Sequence, residues 1–373
     1  MRGCCSLVRV GHLIRRGSRI RLAGILAAAA ALLMFAVATP AVEAKKKKKA
    51  TNTPAWFPFA PYVDVSGFPP PDLPAIKAGS GIRAVSLGFI TAQGDSQCVP
   101  TWGGYAEYPA FGANPYRKAD IDAFRAAGGK IVVSFGGAAG TELAKACPSV
   151  GALVSAYRQV IAAYRPTHLD FDIEGDEVGD TAANARRAAA IKKLQKAKKK
   201  KKKKGKKKRK PLAVGLTLAV LPSGLDDSGL GLVRQAAGQG VQISVVNGMA
   251  MDYGPGAVPA PEGQMGELAI QVGNSLFRQL SGVYPKLRAA RVWKKVGITP
   301  MIGINDVPTE KFYTEDARQL TAFAGAQHIG MLGMWQLNRD KQCPVPTLTT
   351  REDCSGVDQA PYEFSKTFGA FGG

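Results

Sequence analysis

The chain has 373 residues and is 46% hydrophobic, which excludes a disordered or fibrous polypeptide and leaves room for one large packed domain or two small ones. Its formal charge of +22 is localised: of 50 basic residues, six precede residue 45, five are Lys45–Lys49, and fifteen lie between Lys192 and Lys210. The other 24 stand against 27 of the 28 acidic residues, so the body of the chain is nearly neutral and basicity belongs to two appendages.

From the start, Arg2, Arg9, Arg15, Arg16, Arg19 and Arg21 precede an apolar run, Leu22 to Ala38, with small residues and cleavage points after Ala41 or Ala44. This pattern reads as a secretory signal over residues 1–44 and predicts an extracellular protein; left uncleaved, the run is just long enough to anchor the chain in a membrane. Residues 45–55 read as a Lys-rich linker.

Residues 56–373 carry eight apolar strand candidates: Pro61–Ser66, Ile82–Ala92, Lys130–Ser134, His168–Glu174, Leu212–Leu221, Gln242–Met251, Lys295–Ile302 and Ile329–Leu337. Helical periodicity occupies Lys118–Ala127, Val150–Tyr164, Thr181–Lys198, Ser228–Ala237, Glu267–Ala290 and Thr314–Ala326. Strands alternating with helices predict an α/β fold, a single (β/α)8 TIM barrel. An open doubly wound sheet is the alternative, disfavoured because no Gly-rich dinucleotide fingerprint follows the first strand.

The lysine-rich insert, residues 192–210, falls between the fourth helix and the fifth strand, so a barrel would place it on the face opposite the mouth. As a block of like charge it reads as a solvated appendage, with attachment to anionic cell-surface polymers as its functional reading. No aromatic residues interleave for base stacking, and no nucleic-acid partner is expected. Four cysteines remain beyond the signal, Cys98, Cys147, Cys343 and Cys354. An even count in an exported chain suggests disulfides; three connectivities are open, and proximity favours Cys98 with Cys147 and Cys343 with Cys354. No C-x-x-C or His/Cys cluster occurs and the three histidines are scattered, so neither a metal nor a cofactor is expected.

The most informative segment is His168 to Glu174, His-Leu-Asp-Phe-Asp-Ile-Glu. Alternation along a strand places Asp170, Asp172 and Glu174 on one face and Leu169, Phe171 and Ile173 on the other. In a buried parallel strand those carboxyls must face a functional cavity. Barrel chemistry sits at the C-terminal strand ends, where Glu174, Tyr253 after the sixth strand and Trp335 near the end of the eighth would converge.

At these residues the chain resembles glycoside hydrolase family 18, the chitinases, in the branch whose strand reads D-F-D-I-E. Ser134-Phe135-Gly136-Gly137 is similar to the family's S-x-G-G, Met251-Asp252-Tyr253 to its M-x-Y, and Trp335 to its eighth-strand tryptophan. Thr167 replaces the first Asp of D-x-x-D-x-D-x-E, and Gly254 replaces the Asp that commonly follows the tyrosine. Asp252, on the opposite strand face from Met251 and Tyr253, is not expected to substitute.

The resemblance implies substrate-assisted hydrolysis of chitin or N-acetylglucosamine oligosaccharides. Glu174 would be the acid/base, Asp172 would orient the acetamido group, Asp170 would share its proton, and Tyr253 would donate to the acetamido oxygen. Trp335 would underlie the sugar. Met251 shares the inward face with Asn247, a polar contact candidate, and Trp102 with Tyr105 and Tyr108 would extend the groove. Asn305 and Asp306 fall at the mouth. Ser134, Gly136 and Gly137 are read as close-packing residues. Two alternatives use the same barrel: an endo-β-N-acetylglucosaminidase acting on N-glycans, and a non-catalytic chitin-binding or surface-attachment protein. The presence of Glu174 favours hydrolysis.

Overall fold

Each apolar strand lies beside its successor, so chain order and sheet order coincide. The computed structural model describes residues 53–94, 96–196 and 212–372. The signal, Lys45–Lys49 and Lys198–Lys210 lie outside the described residues. The parallel strands are β1 (Tyr62–Asp64), β2 (Ala84–Gln93), β3 (Lys130–Gly136), β4 (His168–Ile173), β5 (Ala213–Ala219), β6 (Val245–Ala250), β7 (Val296–Pro300) and β8 (Met331–Leu332). The ring closes between its ends: Ala60 N–H donates to the Leu332 carbonyl (3.1 Å), Tyr62 N–H to that of Met334 (3.0 Å), and Leu332 N–H to that of Pro58 (2.7 Å). Closure joins the first and last of the eight parallel strands, and the result is the expected (β/α)8 barrel.

Every strand is followed by at least one helix. Val150–Tyr164 shows why: Ser149 caps it by accepting from Ala152 N–H (3.1 Å), and Leu153, Val154, Tyr157, Val160 and Tyr164 recur on one buried stripe. Helices Leu73–Ser80 and Glu363–Gly369 have no counterpart among the expected elements. The first is short and begins beside Pro69-Pro70-Pro71, which reads as loop, yet Asp72 caps it through Ala75 N–H (2.9 Å). The expected helix Glu267–Ala290 is two, Met265–Val283 and Ala289–Trp293. Pro285 stops the first by removing a donor and restricting Tyr284.

Gln97–Trp102, expected as loop, is a strand antiparallel to β2. Disulfide Cys98–Cys147 ties it to the segment after β3, and Cys343–Cys354 closes a loop after β8, with Cα separations of 4.6 and 5.0 Å. Both pairs are those that proximity favours. Among the described residues no helix is long and apolar enough to cross a membrane.

Two cores result. One lies between strands and helices; the other fills the barrel's base with Trp56, Ala60, Ala84, Val132, Ala213, Val245 and Met331. Above that base the interior becomes polar, with Ser86, Ser134, Asp170, Thr217, Asn247 and Thr299 all buried. The polar layer supports the site.

Candidate active site

The alternation of β4 sends three carboxyls inward at rising levels. Asp170 is deepest, in register with Ser134 on β3 and Gly215 on β5. A Cβ at Gly215 would lie 2.9 Å from the Asp170 carboxylate and 2.8 Å from the Trp56 ring, so glycine there makes room for the acid. Three hydroxyls donate to Asp170: Tyr62 (2.9 Å), Ser134 (2.8 Å) and Thr217 (2.9 Å). Burial raises its pKa and these bonds oppose the rise. Asp172, one level up, is also buried, but its Oδ1 has no hydrogen-bond partner. Burial first, then the charges of Glu174 and Asp170, hold its carboxyl well above the usual range. The two aspartates thus differ in surroundings: Asp170 has three donors that favour its carboxylate, whereas Asp172 faces burial and two neighbouring carboxyls that disfavour the charged form.

Glu174 ends the row just beyond β4. Its carboxyl is pushed up to about 7, mainly by burial and secondarily by Asp252. With Asp172 and Asp252 it lines a cavity of about 190 Å3 together with Tyr62, Phe89, Met249, Met251, Asp306, Trp335 and Glu352. Trp335 stacks on Phe89, ring centroids 5.6 Å apart, giving the cavity a broad aromatic wall. Asp172, Glu174 and this indole thus share one chamber, with Asp170 buried beneath it.

Several expected contributors stand elsewhere. Trp102 is fully buried, its Nε1 donating to the Tyr164 hydroxyl (2.9 Å), so it is a core residue and not part of a groove. Asn247 is buried beneath the cavity, donating to Thr217 (3.2 Å) and accepting from Thr299 (3.0 Å); it supports the polar layer. Asn305 turns to the Met301 and Gly303 carbonyls, whereas its neighbour Asp306 lines the cavity. Tyr253 lies in the hydrophobic core, its buried hydroxyl without a partner, and it is not among the lining residues.

Asp252 corrects the strand-face expectation. β6 stops at Ala250, and Asp252 has φ +50°, which breaks the two-residue alternation and turns its carboxyl into the cavity. Val307 N–H holds it (2.9 Å). Burial pushes Asp252 up to about 6 against that bond, with Asp306 and Glu310 adding to the rise. Glu310 anchors the turn by accepting from Tyr253 N–H (3.1 Å) and Gly254 N–H (2.8 Å). Met249 and Met251, two residues apart on the same strand face, line the cavity beside Asp252. The departure at Thr167 lies away from the cavity, its hydroxyl bonded to His168 at the opposite end of β4 (2.8 Å).

Sequence reasoning also missed Tyr62, Phe89 and Glu352. Tyr62 was findable as an inward position on the first strand candidate. Glu352, beyond the last strand, accepts from Gln336 Nε2 (2.7 Å) and had no signal.

A (β/α)8 barrel with stacked carboxyls under an aromatic-walled cavity at its C-terminal mouth has the layout of a glycoside hydrolase, and the chain's relatives place it in that class. No family model matches the chain. It is 36% identical over 336 residues to the probable bifunctional chitinase/lysozyme of Escherichia coli (strain K12), covering 87% of this chain and 36% of that protein. It is 34% identical over 304 residues to endochitinase 11 of Metarhizium anisopliae, covering 79% and 55%. The chain thus spans about a third and about half of these relatives' lengths. The catalytic domain of the hyperthermophilic chitinase from Pyrococcus furiosus is 31% identical and superposes with a TM-score of 0.72, covering 86% of this chain and 96% of that domain. The chain belongs to glycoside hydrolase family 18, the chitinase family.

Proposed function

We propose that the protein is a secreted hydrolase of β-1,4-linked N-acetylglucosamine polymers, retaining in stereochemistry, with Glu174 as acid/base. The observation that carries this reading is the juxtaposition of a glutamate whose carboxyl is held up to about 7 with a buried aspartate oxygen that lacks a partner. Glu174 gives its proton to the glycosidic oxygen as the bond to C1 breaks, while the 2-acetamido oxygen bonds to C1. As the acetamido N–H reaches Asp172, the shared proton moves toward Asp170 and leaves Asp172 anionic to accept it. Water then loses a proton to Glu174 and attacks C1, which restores the acetamide and the β configuration. Asp252 favours the protonated form of Glu174 at the start of the cycle.

Incubation with a defined N-acetylglucosamine hexamer should release chitobiose-sized products whose new reducing ends are initially β when followed by proton NMR. Initial α products, or no cleavage, would reject the reading. The two lysine tracts are proposed to hold the secreted enzyme on anionic cell-surface polymers. Deletion of residues 198–210 should leave hexamer hydrolysis near normal and weaken salt-sensitive adsorption to anionic beads; unchanged adsorption would remove that role.

A further inference from the structure

Behind the wall that carries Glu174 lies a buried ion pair for which hydrolysis has no direct use. Glu142 and Arg187 are 1% and 2% exposed. Glu142 ends the segment after β3 and caps helix Leu143–Ala146 by accepting from Ala144 N–H (3.2 Å). Arg187, from helix Thr181–Lys196, grips its carboxylate with Nε on Oε1 (3.0 Å) and Nη2 on Oε2. This is a two-point fork that fixes orientation as well as distance. Tyr157 adds a third donor (3.3 Å).

The same pair reaches the turn that follows Glu174. Glu142 N–H donates to the side chain of Glu177, three residues past the acid (3.0 Å). Arg187 Nη1 donates to the Asn184 Oδ1, and Asn184 Nδ2 donates to the Val178 carbonyl (2.9 Å). On the inner side, Gly137 N–H donates to the Asp172 carbonyl (3.0 Å), and an added Cβ on Gly136 would lie 3.7 Å from Glu142 Cγ. Glu142 therefore backs onto the backbone that touches Asp172, while its backbone N–H and, through Arg187, Asn184 hold the turn after Glu174 at Glu177 and Val178.

We propose that Arg187, through its fork on Glu142, is a positioning residue that holds the turn after β4 and keeps the Glu174 carboxyl turned into the cavity. A salt bridge in this setting adds little net stability, because desolvating both ions offsets their attraction; what it supplies is a directional hold on the turn. The inference rests on Glu174 being the acid/base, and it assigns no contact with substrate to Arg187. Facing Glu174 are Asp172 from β4 and Asp252 from the segment after β6, with Asp306 and Glu352 in the same cavity and no Lys or Arg among its lining residues. Loosening the turn admits water to Glu174 and lowers its proton affinity.

The test is the paired variant Glu142→Gln with Arg187→Met, which removes both charges together and leaves no uncompensated buried ion. It should fold with both disulfides intact, keep KM within about threefold and lose about 10- to 100-fold in kcat, as expected for a misplaced catalytic group. The basic limb of its kcat profile should move down by about one pH unit. Independently of activity, carbon-13 NMR of glutamate-labelled protein, assigned by the loss of one signal in Glu174→Gln, should show the same downward shift. If the wild type cleaves no aminosugar, the functional reading falls, yet the NMR titration still decides the clamp. Should the paired variant fail to fold, Glu177→Ala, which breaks the link to Glu142 N–H and leaves the fork on Arg187 in place, should shift the Glu174 titration in the same direction by less. A wild-type titration in a folded variant of either kind overturns the proposal.

Discussion

Glu174→Gln should lower kcat on a chitin oligosaccharide by about 10²- to 10⁴-fold while leaving oligosaccharide binding largely intact, because the amide keeps the shape and loses only the proton. Turnover within a few-fold of wild type would remove Glu174 from the chemistry. The wild-type kcat should itself fall as pH rises through about 7, where Glu174 gives up its proton. Stability follows the same titration. The folded pKa lies above the ordinary value of 4.5, so this group's contribution is fully present below that value and is lost as pH rises through about 7. At pH 8 the Gln variant should therefore be more stable than wild type, by at most about 3 kcal/mol, and at pH 4 the two should match. Thermal melts at both pH values check this, and a variant less stable at pH 8 would contradict the raised pKa.

Gly136→Ala should destabilise the barrel on the order of 4 kcal/mol. Gly136 has φ +101°, a conformation that disfavours any side chain, and a Cβ there would sit 1.9 Å from the Asp172 carbonyl oxygen. The neighbour is strand backbone, so relief requires β3 and β4 to separate. Activity should fall along with stability, because the displaced carbonyl belongs to the residue assigned to the acetamido group. Urea unfolding midpoints compared with wild type provide the measurement; a change below about 1 kcal/mol would show that the strands yield easily. Neighbouring Gly137 makes a useful contrast. Its Cβ would meet the Phe89 ring at 2.7 Å, and a side chain can turn aside more readily than a strand.

Legibility in the sequence tracked the range of the interaction. The eight strands and six of the helices were readable because local periodicity records burial, and buried parallel strands stand out as short, mainly apolar runs between helical stretches. What failed depended on partners or on short punctuation: Gln97–Trp102 became a strand only by pairing with β2, and the split before Ala289 hinged on a single proline. Trp102 is placed in the groove by aromatic type and loop position, and Tyr253 in the site by topology and by the resemblance to M-x-Y. Both turned out to fill core space, which residue type cannot foretell.

By itself the sequence determined the carboxyl row, since a period of two in Leu-Asp-Phe-Asp-Ile-Glu leaves Asp170, Asp172 and Glu174 no other common face. Only the tertiary structure decided which groups meet that row. Tyr62, Thr217, Trp335 and Asp252 come from four other barrel segments, and Asp252 reaches the cavity through a left-handed residue past its strand's end. Side-chain alternation is a property of one strand's backbone, whereas convergence at the mouth requires the ring to close.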